Sequence, residues 1–503
     1  MDHLLSGPTT DWLRQRTESM PTRLALLSGQ TRLSFVDLDA LTDATAARLS
    51  AGIRRQQVVA LLAGNSIAYV QAVHAIARIG AVLLPLNVRL SPHELVWQLR
   101  GAGARAVLID EANEGVAQYI SRELPALRLI SLSEVTRLTS PSLGLYTRTG
   151  RRPGGEVALD DLQSIVYTSG TTGQPKGAML TYGNQLWSAF ASALNLGQRP
   201  DDRWLACLPL FHVGGLAILL RSVIYGTAVI VHDSFDPVRV NRAIDADGVT
   251  IVSVVANMLQ RMLDARGDTP YPPALRCVLL GGGPAPLPLL QRSAELGVPV
   301  VQTYGLTEAA SQVATLAPEE ALARLGSAGK PLFGTRLRIV GPDGSDCGPG
   351  EAGEILVNGP TVCAGYLNRP EETARALHDG WLHTGDAGYL DVEGYLYVLD
   401  RRDDLIVSGG ENVYPAEIES VLQSHPAVLE AGVYGAADER WGRVPVAVVV
   451  LRAEAHVGSD ELIEFCRERL AAYKTPKRIE FVGALSRNAA GKLLRRQLTR
   501  QDP

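Results

Sequence analysis

The chain has 503 residues, 46% of them hydrophobic and 20% charged, with a formal net charge of −5. This is the composition of a folded, enzyme-sized protein with a large core, and its charge gives no reason to expect nucleic acid or an anionic membrane as partner. Five cysteines (Cys207, Cys277, Cys347, Cys363 and Cys466) are scattered, odd in number and without a C-x-x-C pair. That pattern argues against a disulfide frame or zinc site and for a reducing compartment. The opening residues carry no basic-then-apolar leader pattern, and every apolar stretch is interrupted well short of a membrane span. The expectation is a cytoplasmic enzyme without a membrane span or nucleic-acid partner; whether copies associate is open.

In chain order, residues 58–62 read as a buried strand, 66–79 as a helix and 81–84 as another strand. Ser91-Pro92-His93-Glu94 is a capping box with proline at the first helical position, predicting a helix to about residue 101 and a strand at 106–109. The rhythm recurs at 249–255, 277–280 and 298–302. It predicts an α/β fold: a large layered N-terminal domain with mostly parallel sheets. Near residue 400 the character changes. Glycine- and aromatic-rich strands at 353–357 and 394–399 lead into Asp400-Arg401-Arg402-Asp403-Asp404. A small α+β segment follows, with a helix opening at Pro415, a strand at 444–451 and a helix from 459 to about 472. The expected division is an N-terminal domain over 1–399 and a mobile C-terminal domain over 400–503.

Residues 167–177, YTSGTTGQPKG, hold three threonines, a serine, three glycines, a proline and one lysine behind the apolar run 162–166. Glycines let backbone N–H groups approach an anion, hydroxyls add donors and a lysine supplies charge, which together suit a polyphosphate. It is not a Walker A loop, because Gly177 follows Lys176 and no adjacent hydroxyl can hold magnesium. The stretch resembles the phosphate loop of the adenylate-forming superfamily of acyl-CoA synthetases, adenylation domains and luciferases. The resemblance assigns Thr168, Ser169, Gly170, Thr171, Thr172, Gly173 and Lys176 to ATP phosphates.

Further matches run from about residue 30 to 495. Tyr304-Gly305-Leu306-Thr307-Glu308 is similar to the superfamily's YGxTE motif. There Tyr304 can stack on a purine, Thr307 donate to a phosphate and Glu308 hold magnesium. Gly281-Gly282-Gly283 resembles the glycine turn whose bare backbone lies against adenine, so Gly282 and Gly283 are nucleotide candidates. Asp386, in Thr384-Gly385-Asp386, is acceptor-only when ionised and suits a ribose diol, and Arg401 resembles a second ribose or phosphate contact. His378 and His383 read as solvated loop histidines rather than a metal pair. Asp403 stands where the superfamily has its hinge. Lys492 resembles the catalytic lysine that bridges carboxylate and α-phosphate. Ser486 replaces the proline that many relatives carry before Arg487. Ser408, Gly409 and Gly410 resemble the element that walls a pantetheine tunnel, the sign of coenzyme A as acceptor.

Residues 208–226 line the acid pocket in relatives. Within the apolar run 216–225, Arg221 is either a snorkelling or locally paired cation or a partner for an anionic group on the substrate. This block and Tyr304 to Gln312 are similar to the o-succinylbenzoate–CoA ligase family of menaquinone biosynthesis. That closer resemblance implies Arg221 and Ser311 at the substrate and His212 as a pocket gate with a catalytic role. Gly214 stands where some members have serine. The activity this resemblance implies is ligation of a small carboxylic acid, 2-succinylbenzoate first among candidates, to CoA with ATP and Mg2+, through an acyl-adenylate. A different aryl- or acyl-CoA ligase, or an adenylation enzyme loading a carrier protein, stays open.

Overall fold

The computed structural model describes residues 8–9, 11–137, 157–168, 175–283, 285–320, 323–324, 326–401, 404, 406–408, 411–438, 441–470, 472–487 and 493–498. Two large sheets form from the apolar runs read above. The first is six-stranded, ordered Lys176–Thr181, Leu162–Thr168, Val82–Pro85, Val58–Leu62, Ala106–Ile109, Arg128–Ser131. All its pairs are parallel except the first, where Lys176–Thr181 returns antiparallel along Leu162–Thr168. The second is nine-stranded. Its parallel centre includes Arg203–Ala206, Ile251–Val254, Cys277–Leu280 and the start of Val300–Leu306. Antiparallel strands close its edges. Central strands covered on both faces read as unbroken apolar runs, which is why they were visible in the sequence.

Helices start where the caps put them. Ser91 and Glu94 exchange side-chain and backbone hydrogen bonds at the head of Pro92–Gly101. The helix Ile67–Arg78 ends in a guanidinium that is fully buried and paired to Asp11, Asp39 and Asp43. Asp11 also caps the helix Trp12–Ser19, so one buried cation ties three helices together. A buried ion of this kind holds only because every charge has a partner. Between the sheets lies one apolar body that includes Leu26, Phe35, Tyr69, Leu83 and Leu219.

Two smaller sheets follow. Arg336–Val340, Gly353–Asn358, Trp381–Leu390, Leu377–His378 and Leu396–Arg401 form an antiparallel sheet. The last sheet joins Ile406–Ser408, Glu411–Val413, Val428–Asp438, Gly442–Leu451 and Arg478–Phe481. It has its own core of Ile406, Val413, Ile418, Val433, Val449, Leu462 and Cys466. The large N-terminal and small C-terminal units are therefore as expected in kind. The helix expected over 459–472 is shorter. It runs Ser459–Arg467, after which a turn folds Leu470 onto that core. No helix among the described residues is long and apolar enough to cross a membrane, and all five cysteines are free.

Candidate functional site

The phosphate-loop residues Ser169, Gly170, Thr171, Thr172 and Gly173 lie outside the described residues. Their flanks are defined. Thr168 and Lys176 are register partners across the antiparallel pair, so the chain that leaves one strand at the loop returns into another, and Lys176 opens that returning strand. Lys176 Nζ lies 5.2 Å from the centre of the Tyr366 ring. The Tyr366 hydroxyl donates to Glu308 Oε1 at 2.9 Å, and Thr168 Oγ1 approaches the same oxygen at 3.4 Å. Thr168, Lys176 and Glu308, separated by up to 140 residues, thus meet around a tyrosine that sequence reasoning missed. No local pattern marks Tyr366; only the fold carries it there. No group of three or more His, Cys, Asp or Glu side chains among the described residues could cage a metal. A hard carboxylate held by two hydroxyls fits a magnesium ion that keeps waters and takes its other ligands from phosphates.

Glu308 and Thr307 stand on a single 3-10 turn, Thr307–Ala309. It is set by a tight bend: Ala310 has φ 51° and Ser311 φ 106°. A Cβ on Gly305 would come within 1.7 Å of the Ser311 carbonyl oxygen, so only glycine lets the two strands cross so closely. Tyr304, before that glycine, is buried and donates to Asp386 Oδ2 at 2.8 Å. Burial and the Asp386 charge push its phenol well above the ordinary range. Asp386 and Arg401 are cross-strand register partners, so the two expected ribose contacts are neighbours. Gly282 has φ +83°, with Val255 filling the place of a side chain, while Gly283 faces open space. His378 is exposed, as expected, and His383 is half-buried, but neither is a loop residue. They sit on paired strands with rings 3.7 Å apart, and His383 lies beside Glu354.

The segment expected to line an acid pocket becomes the helix Val213–Tyr225, with His212 as its N-cap residue. Gly215 is required, because a Cβ there would lie 2.4 Å from the Pro209 carbonyl oxygen. Gly214 has room for one. Arg221 is 3% exposed. Its Nη2 donates to Ser188 Oγ at 3.2 Å, its guanidinium lies 5.6 Å from the Trp204 ring, and its Nε has no partner. No carboxylate among the described residues pairs with it, and burial pushes its pKa down. Neither snorkelling nor a local ion pair accounts for this arginine. Ser188, a second residue missed from the sequence, also donates to the Ala310 carbonyl at 2.6 Å. It therefore joins the arginine to the backbone beside Ser311. His212 is lowered to about 4 by burial and then by the Arg89 charge, and its buried Nε2 has no partner. It is a neutral imidazole.

In the C-terminal unit, Asp403, Gly409, Gly410 and Lys492 lie outside the described residues, as does the Arg401 side chain. Ser408 is buried and ends a strand that pairs with Glu411. Residues 486–487 and 493–494 hold the stem of the Lys492 segment: Arg487 bridges Leu493, and Leu494 N–H donates to the Ser486 carbonyl at 2.9 Å. The stem closes without the proline that Ser486 replaces.

A family model described as AMP-binding enzyme matches residues 13–367, and one described as AMP-binding enzyme C-terminal domain matches residues 417–492. The 2-succinylbenzoate–CoA ligase of Geobacillus kaustophilus (strain HTA426) is 51% identical over 494 residues, 98% of each chain. The protein of that description from Bacillus mycoides (strain KBAB4) is 47% identical, over 97% of this chain and 98% of its own. The solved o-succinylbenzoate CoA synthetase of Bacillus subtilis, in complex with its acyl-adenylate intermediate, superposes with a TM-score of 0.89 at 44% identity over 99% of both chains. Its complex with ATP and magnesium gives 0.87 at 44% identity, over 98% of this chain and 100% of that one.

Proposed function

The chain belongs to the AMP-binding enzyme family, and on that premise we propose that it joins 2-succinylbenzoate to coenzyme A, using ATP, in menaquinone biosynthesis. The observation that carries this choice of acid is Arg221, a buried guanidinium with no carboxylate partner among the described residues. A dicarboxylic aromatic acid supplies the missing anion at one end while its other carboxylate is activated. A plain fatty acid or benzoate leaves Arg221 unpaired.

In the first step a carboxylate oxygen of the acid attacks the α-phosphorus of ATP and pyrophosphate leaves. In the second, the CoA thiolate attacks the acyl carbon and AMP leaves. Lys176, Thr168 and the hydroxyls of 169–172 grip phosphates, and Lys492 bridges the attacking carboxylate and the α-phosphate. Glu308 would hold the magnesium that accompanies ATP, an ion that would neutralise phosphate charge. Asp386 and Arg401 take the ribose, and the Gly282–Gly283 backbone and Tyr304 take the base. His212, whose buried Nε2 has no partner, gates the acid pocket, and Ser311 lies near the substrate. The boundary at 399/400, the hinge at Asp403, and the thiol path along Ser408, Gly409 and Gly410 belong to the same reading. So does a cytoplasmic location, which five free thiols suit.

The test is pyrophosphate release across a panel of acids, with and without CoA. The expected result is release with 2-succinylbenzoate and AMP formation that needs free CoA. Release with benzoate or fatty acids alone, or AMP formation only with a holo-carrier protein, overturns the proposal.

A further inference from the structure

One carboxylate reaches across the two units. Glu430, on the strand Val428–Asp438, accepts from Asn257 Nδ2 at 2.9 Å through Oε1 and from Arg487 Nη2 at 2.9 Å through Oε2. Asn257 belongs to the large unit. It is the second residue of the helix Ala256–Arg266, whose N-cap residue, Val255, fills the place a side chain would take on Gly282. Arg487 belongs to the stem that Leu493 closes, directly before the segment carrying Lys492. The Glu430 and Arg487 side chains are 23% and 29% exposed, so water screens the pair only in part.

We infer that Glu430 is a positioning residue for the first half-reaction. Its carboxylate tethers the stem of the Lys492 segment to the glycine turn of the large unit. The inference rests on the two-step reading above, in which the small unit turns between the halves; the tether holds during adenylation and breaks before thioester formation. A carboxylate is well suited to such a joint. It bonds two donors at once when docked, and each of its partners is polar enough to be taken up by water when it parts.

The experiment separates the halves. ATP–pyrophosphate exchange with 2-succinylbenzoate reads the first, and thioester formation from synthetic 2-succinylbenzoyl-AMP and CoA reads the second. In Glu430→Ala the exchange rate falls roughly tenfold with the KM for ATP unchanged, and the second half is unchanged or faster. Asn257→Ala, made in the other unit, gives a smaller loss in the same direction, and the double variant loses no more than Glu430→Ala alone. Equal losses in both halves, no loss in exchange, or full additivity in the double variant overturn the inference. Small-angle scattering of the wild type and Glu430→Ala with ATP gives a readout independent of the acid. A shifted distance distribution is expected, and superimposable curves overturn the tether. Wild-type enzyme that exchanges with no 2-succinylbenzoate defeats the choice of acid, while the scattering comparison still tests the tether.

Discussion

The proposed nucleotide end and the proposed acid end of the site are built on opposite principles. At the nucleotide end the polar groups are already engaged with one another: Tyr366 and Thr168 with Glu308, Tyr304 with Asp386. At the acid end they are left wanting: Arg221 Nε and His212 Nε2 are buried without partners. A pre-satisfied cluster costs little to hold and accepts a ligand common to many enzymes. An unsatisfied buried cation costs stability until its own ligand arrives, and that cost is a source of discrimination. Generic chemistry therefore sits in a self-supporting frame, and selectivity sits where the fold is least content.

Three substitutions probe this contrast. Lys492→Ala should lower adenylate formation about a thousandfold while conversion of pre-made adenylate to thioester survives; single-turnover assays that find equal loss in both halves would remove the assigned role. Arg221→Leu should cut kcat/KM for 2-succinylbenzoate about a hundredfold or more. The same change should raise the melting temperature, because it deletes an uncompensated buried charge. Lost activity with a lowered melting temperature would mean that the arginine supports the fold and not the ligand. Tyr366→Phe should cost only about fivefold, seen mainly in the magnesium and ATP dependence, as expected for one hydrogen bond to a charged group. An effect as large as that of Arg221→Leu would erase the proposed difference between the two ends.

The smallest effect is in pH. His74 and His212 are each lowered to about 4, by burial first. Between about 4 and 6.5 the unfolded chain binds protons that the folded one refuses, so stability rises with pH across that window and falls away as pH drops through it. Thermal melts from pH 7 to 4 should show the decline, and His74→Gln should flatten it. An unchanged slope in that variant would assign the acid sensitivity elsewhere.

Much of the frame was readable from residues alone. The apolar runs at 58–62, 106–109 and 277–280 became central strands, and the Ser91 capping box began its helix where expected. Such signals are local, set by caps and burial within a few residues. Tyr366 and Ser188 were invisible for the converse reason. Each acts on a group far away in the chain, at Glu308 or at Arg221 and Ala310, and nothing in its neighbourhood marks it. Arg221 itself was conspicuous as a charge in an apolar helix, but only packing shows that no carboxylate among the described residues pairs with it. The helix from Ser459 was overextended because its amphipathic pattern continues past the point where tertiary contact with Leu470 bends the chain away.

Ser188 also bears on redesign. Its oxygen receives from Arg221 and gives to the Ala310 carbonyl, so the pocket cannot be retargeted to an uncharged acid one residue at a time. Replacing the arginine alone leaves a buried hydroxyl with its acceptor side unanswered, and replacing the serine alone strips the arginine of its hydrogen bond. A library aimed at new aryl acids should vary positions 188 and 221 as one unit and leave Tyr366, Glu308 and Asp386 untouched.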